Sequence, residues 1–203
     1  MLTDRRPLVT ASAVLMMTVG VLGACASKGA PDSATPAGSP HAQEAFADVA
    51  RVLRHPRCLN CHTVTDYPRV GDDRRRHAMN VLRGPDGLGT PAMRCGNCHQ
   101  PENQTLIGVP GAPHWKIAPL SMGWEGLDDH ALAESLKNPA NTGGRGLDEV
   151  LHHMAEDPLV GWAWEPGPDR AAPPMSRDDF VRAFEVWVES GAPTPPRGIT
   201  STF

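Results

Sequence analysis

Cys58-Leu59-Asn60-Cys61-His62 and Cys95-Gly96-Asn97-Cys98-His99 decide the reading of this 203-residue chain. Each is a Cys-x-x-Cys-His box, in which two thiols can form thioethers to porphyrin vinyl groups while the adjacent imidazole ligates the iron. The spacing has a mechanical reason: two intervening residues put the sulfurs about one helical turn apart, and the next residue points its ring nitrogen at the metal. The boxes therefore predict two c-type haems held by Cys58, Cys61, Cys95 and Cys98, with His62 and His99 as proximal iron ligands. Two other readings use the same residues. A structural zinc site would take the four cysteines and leave both histidines idle, and a thiol redox centre has no need of a histidine after each pair.

Toward the N-terminus, Arg5 and Arg6 precede an apolar run from Leu8 to Leu22. The run is short and ends in small residues, as in a secretory signal rather than a membrane span. It closes with Leu22-Gly23-Ala24-Cys25, which resembles a bacterial lipobox. That resemblance implies a lipoprotein signal peptide over 1–24 and lipidation of Cys25. Lipid chains would tether the protein to the periplasmic side of a bacterial membrane without spanning it. Ala26, where an inner-membrane retention signal would often place Asp, leans the expectation toward the outer membrane. Residues 25–40 are rich in Ala, Ser, Pro and Gly and read as a flexible tether. With Cys25 lipidated and four cysteines on haem, all five are used and no disulfide is needed.

Composition agrees. Aromatics are only 5% of the chain, and 20 Gly and 21 Pro interrupt it throughout, so side chains alone would fill a core poorly. Two covalently held porphyrins would supply apolar surface, and folding is expected to depend on their insertion. The formal charge of -4 gives no sign of nucleic-acid binding.

Periodicity predicts short helices between irregular stretches. Ser39-Pro40 reads as a helix start, followed by Ala45, Phe46, Val49, Val52 and Leu53 at helical spacing, with Pro56 restarting the chain just before the first box. From Thr63 to Pro91 the chain reads as loop. There the cluster Arg69, Arg74, Arg75 and Arg76 is a solvated face, a docking patch for an acidic partner, or a set of partners for haem propionates. Asp128 caps a helix that ends at Asn138-Pro139, and a further helix runs from Leu147 to Glu156. Ser176 caps the last one, with Phe180, Phe184, Trp187 and Val188 on one face. The expected fold is mainly α, with cytochrome c-like short helices and long Pro/Gly-rich loops packed around two covalently attached haems. The dihaem domain spans 41–192, and a frayed tail follows at 193–203.

Each iron needs a sixth ligand, and three residues are the distal candidates. His77 lies in the irregular segment beyond the Arg cluster. Met122 ends a Pro-rich loop of the kind that can hold a thioether over iron, with His114 a weaker candidate there. His153 sits on the shoulder of the 147–156 helix, where Met154 faces the core and His152 points further away.

Several motifs resemble a known family. His77-Ala-Met-Asn-Val-Leu-Arg-Gly-Pro-Asp-Gly, the second box, Pro110-Gly-Ala-Pro-His-Trp, Met122-Gly-Trp124, Asn141 to Arg145 and Val160-Gly-Trp-Ala-Trp are similar to the small dihaem proteins labelled isoquinoline 1-oxidoreductase subunits. The resemblance implies the cytochrome partner of a molybdenum hydroxylase, or of another redox protein, and not an enzyme on its own. Nothing here resembles a molybdopterin site, so the hydroxylation would belong to the partner chain. We expect His77 on the first iron and Met122 on the second, with His153 as the rival for the second. A dihaem peroxidase would instead need an open distal face with an acid-base residue above it, and a structural zinc lipoprotein would be colourless.

Overall fold

A computed structural model of the chain describes residues 38–202. The signal peptide expected over 1–24, the lipidation expected at Cys25 and most of the tether lie outside the described residues. The chain is mainly helical, 42% helix against 6% strand. No helix among the described residues is long and apolar enough to cross a membrane.

The helices are α1 (Pro40–Leu53), α2 (Pro56–Leu59), α3 (Asp129–Lys137), α4 (Leu147–Glu156), α5 (Pro158–Gly161) and α6 (Arg177–Glu189). The strands form two antiparallel hairpins, β1 (Arg69–Val70) with β2 (Arg75–Arg76) and β3 (Gly89–Thr90) with β4 (Met93–Arg94). Strands of two residues carry no period, so β1, β2 and β3 stand within the 63–91 stretch that the sequence presents only as loop, with β4 just beyond it.

α1 starts where Ser39 accepts a hydrogen bond from the Ala42 N–H at 3.2 Å and Pro40 gives up no helical bond. Its apolar face meets that of α6, whose cap is Ser176. The Phe46 and Trp187 rings lie 4.7 Å apart, and Phe184 stands edge-on to Trp187 at 5.5 Å. Leu132 and Leu136 of α3 and Val150 and Met154 of α4 complete this core. Cys58 packs against it, so the first box is rooted in the helical half.

Between Pro193 and Ser201 the tail expected to fray is hydrogen-bonded to the helices. Trp187 Nε1 donates to the Pro193 carbonyl and His130 Nδ1 to that of Pro195, each at 2.9 Å. Asp129, with a side chain only 2% exposed, pairs with Arg54 at 2.6 Å and accepts from the Ser201 N–H and hydroxyl, while its own N–H donates to the Ile199 carbonyl. A buried carboxylate needs such partners, and the tail supplies several of them.

Candidate functional site

The two boxes fold into the same turn. In each, the carbonyl of the first cysteine accepts from the N–H of the second cysteine at 3.2 Å and from the histidine N–H at 2.9 Å. The surroundings repeat as well. His62 Nδ1 donates to the Met122 carbonyl at 2.9 Å, and His99 Nδ1 to the Pro110 carbonyl at 2.7 Å. His62 stacks on Trp124 at 3.5 Å and His99 on Trp115 at 4.5 Å, both within 7° of parallel. A carbonyl can only accept, so each Nδ1 carries the proton and each Nε2 keeps its lone pair for a metal. One unit is built twice: a Cys-x-x-Cys-His turn, a carbonyl from a Pro-rich loop, and a tryptophan laid on the imidazole.

A cavity of about 820 Å³ opens at the second box. That volume lies within the range of cofactor pockets, roughly 300–1,000 Å³. Cys95, Cys98 and His99 line it, and so do His77, Arg57 and, from the first box, Cys61. The His77 and His99 rings face each other across 6.0 Å at 70°. Two metal–nitrogen bonds of about 2 Å each, plus half of each ring, would put opposed imidazoles roughly 6 Å apart, a spacing that this pair matches. His77 Nδ1 donates to the Ala78 carbonyl at 2.8 Å, which again leaves Nε2 for the metal.

The expected pairing of distal ligands differs from this geometry. His77 stands opposite His99 and not His62, because the β1–β2 hairpin hangs from the first box and reaches away from it. Arg69 N–H donates to the Asn60 carbonyl at 3.1 Å, Asn60 Nδ2 donates to that of Gly71, and the His77 N–H is tied to Pro68. Met122 does not line the cavity of the second box. The turn after Pro119 hooks its carbonyl onto His62 Nδ1, and its methyl group turns toward Gly143, where an added Cβ would meet it at 3.0 Å. His153 lies near His62, its charge contributing to the depressed pKa of that ring, and its own Nδ1 faces Asp157 at 3.3 Å. His114 is exposed, with φ 59°.

Burial sets the electrostatics of the first box. It pushes the Cys58 thiol up to about 12, helped by the charge of Cys61, and the Cys61 thiol up to about 11, helped by that of Cys95. Both thiols therefore stay protonated at neutral pH. His62 is driven down to about 4, chiefly by desolvation, against the opposing hydrogen bond to Met122. At the second box, burial raises Cys95 and lowers His99.

Among the described residues, no group of three His, Cys, Asp or Glu side chains converges as a metal cage requires. Haem iron asks the protein for only two axial ligands, and the four cysteines are free thiols. Buried guanidinium nitrogens also lack partners: Nε of Arg51, Arg57, Arg69 and Arg74, and both Nε and Nη1 of Arg83, whose Nη2 donates to the Thr63 and Thr65 carbonyls. Groups of this kind suit the carboxylates of a bound porphyrin. Of the expected Arg cluster, Arg74 pairs with Glu125 at 3.1 Å and Arg75 with Asp73 at 2.9 Å.

Sequence reasoning missed Trp115, Trp124, Arg57 and Arg83. The tryptophans had a readable signal, since each follows shortly after prolines in a loop downstream of a box. The arginines had none. No family model, curated protein or solved structure matches the chain.

Proposed function

We propose that this chain is a dihaem c-type cytochrome that carries single electrons, with cytochrome c-like packing of its short helices and loops around the two haems. The observation that carries the reading is the duplicated unit of turn, carbonyl and tryptophan, with His77 set 6.0 Å from His99. Chance pairs of Cys-x-x-Cys-His would not share these partners.

In this reading Cys58 and Cys61 hold one haem and Cys95 and Cys98 the other, with His62 and His99 as proximal ligands. His77 is the distal ligand opposite His99. His153, with Nδ1 oriented by Asp157, serves the His62 side. Met122 acts through its carbonyl, holding His62 in one tautomer and raising the basicity of Nε2. When bound, haem supplies one-electron iron chemistry. The chain contributes ligand orientation, exclusion of water from the more buried first box, and positive charge at the second.

The donor is read from the family resemblance as a molybdenum hydroxylase, which must pass on two electrons per turnover, one at a time to a carrier of this kind. Lipidation at Cys25 would hold the chain on the periplasmic side of a bacterial membrane, with the outer membrane favoured.

The test is a reduced-minus-oxidised visible spectrum of full-length protein made with a haem-attachment system, followed by denaturation and organic extraction. Sharp reduced bands, with two haems retained per polypeptide by mass, are expected. A colourless protein, or haem lost to the solvent phase, overturns the proposal and returns the boxes to zinc.

A further inference from the structure

We propose that Arg57, one residue ahead of the first box, binds a carboxylate inside the cavity of the second box, so that the second haem site is completed by the first box's peptide. The inference rests on the dihaem reading and names a residue that neither box motif marks.

Arg57 lines the same cavity as Cys95, Cys98 and His99, and its side chain is only 2% exposed. One edge of its guanidinium meets the Asp72 carboxylate, and its Cζ lies 5.9 Å above the Trp162 ring. Trp162 is held by a 2.8 Å bond from its Nε1 to Asn103 and stands edge-on to Trp115, the ring stacked on His99. The aromatic chain thus fixes Arg57 relative to the proximal imidazole of the second box. Its Nε is buried and has no partner.

A second cation is drawn to the same end. Asp72 also accepts from the Ala171 N–H at 3.2 Å, which brings Arg170 alongside, and Arg170 lines the cavity too. Arg170 donates to the Pro166 and Gly108 carbonyls. Of the other carboxylates on this wall, Asp73 is taken by Arg75 and Asp169 is exposed. A buried guanidinium with an unmet donor, beside a second cation, selects a carboxylate oxygen. The haem attached at Cys95 and Cys98 brings one as a propionate; a small carboxylate from solution carries the same chemistry.

The experiment compares wild type, Arg57→Gln and Arg57→Lys as full-length holoproteins, first counting covalent haems by mass. Redox titration and resonance Raman spectra of the propionate bending modes follow, with and without added acetate. Loss of a positive charge beside a propionate disfavours the reduced haem, so in Arg57→Gln one of the two potentials should fall while the other holds. The propionate band should shift in both variants, and Arg57→Lys should restore most of the potential. If Arg57→Gln fails to mature, the band shift in Arg57→Lys decides. Two haems with potentials and bands unchanged overturn this inference and leave the cytochrome reading standing. So does a potential that follows acetate with the band unmoved, which assigns the site to a free anion. A wild-type chain without haem overturns both.

Discussion

The first box and the second share a backbone turn to within 0.1 Å in their hydrogen bonds, yet one is set against the helical core and the other lies at the surface. Cys58 touches the cluster built by α1, α3, α4 and α6, and α2 enters the box through Pro56 with His55 as its cap. Cys95 follows β4 on a single 3-10 turn, Cys98 is exposed, and the neighbouring loop presents Leu106 and Ile107 to solvent. The same local chemistry is thus placed in two dielectrics. Burial moves the first box's thiols and imidazole far from their ordinary values, and at the second box it raises Cys95 and lowers His99. Two haems with similar proximal ligation would be tuned apart by surroundings alone, the arrangement a directional electron step needs.

Removing the cysteines of each box breaks this comparison most severely. In the dihaem reading, Cys58→Ala with Cys61→Ala should prevent stable folding, because the first haem would be attached beside the core that Cys58 packs against. Cys95→Ala with Cys98→Ala should leave a folded, helical, one-haem protein. Circular dichroism melts and haem counts on both pairs check this, and equal loss of structure in the two would remove the asymmetry.

Next in size is the lock on the tail. Asp129→Ala strands Arg54 and releases Ser201, with an expected cost of about 3–5 kcal/mol for breaking a buried pair. Chemical denaturation measures it. The loss should fall on the helical half and the first box, with His77 and His99 still paired.

Single ligand changes sharpen the comparison without unfolding either side. His77→Ala should turn one haem high-spin and His153→Ala the other, as read by electron paramagnetic resonance. If both variants alter the same haem, the pairing proposed here is wrong.

The smallest effect is an acid one. The Asp86 carboxyl accepts from the Leu88 N–H at 3.0 Å and pairs with Arg94 at 2.9 Å, and the Leu88 bond leads the causes that hold it below the ordinary aspartate range. A depressed native pKa stabilises fully above the unfolded value, about 3.9, and the contribution is lost as pH falls from there through the native value. Amide exchange in the β3–β4 hairpin should therefore quicken in that window, ahead of α1 and α6, which rest on apolar packing.

Much of the local structure was legible. Ser39, Asp128 and Ser176 marked helix starts because capping needs a side-chain acceptor at a defined place, and Phe46, Phe184 and Trp187 marked the core through helical period. The hairpins, the pinned tail and the partners of each box were not. A frayed reading of 193–203 followed from its prolines and polar residues, while the buried Asp129 that gathers the tail lies more than sixty residues away.

The boxes carry the proposed chemistry in the sequence alone, because thioether attachment and axial ligation would need fixed residues at fixed short spacing, and a helical turn supplies that spacing wherever it occurs. Which imidazole meets which is a matter of tertiary structure. The β1–β2 hairpin, anchored on Asn60, carries His77 away from its own box to face His99, while α4 brings His153 toward His62. Nothing in local spacing encodes that exchange, since it depends on how a short hairpin leaves one turn and packs against another.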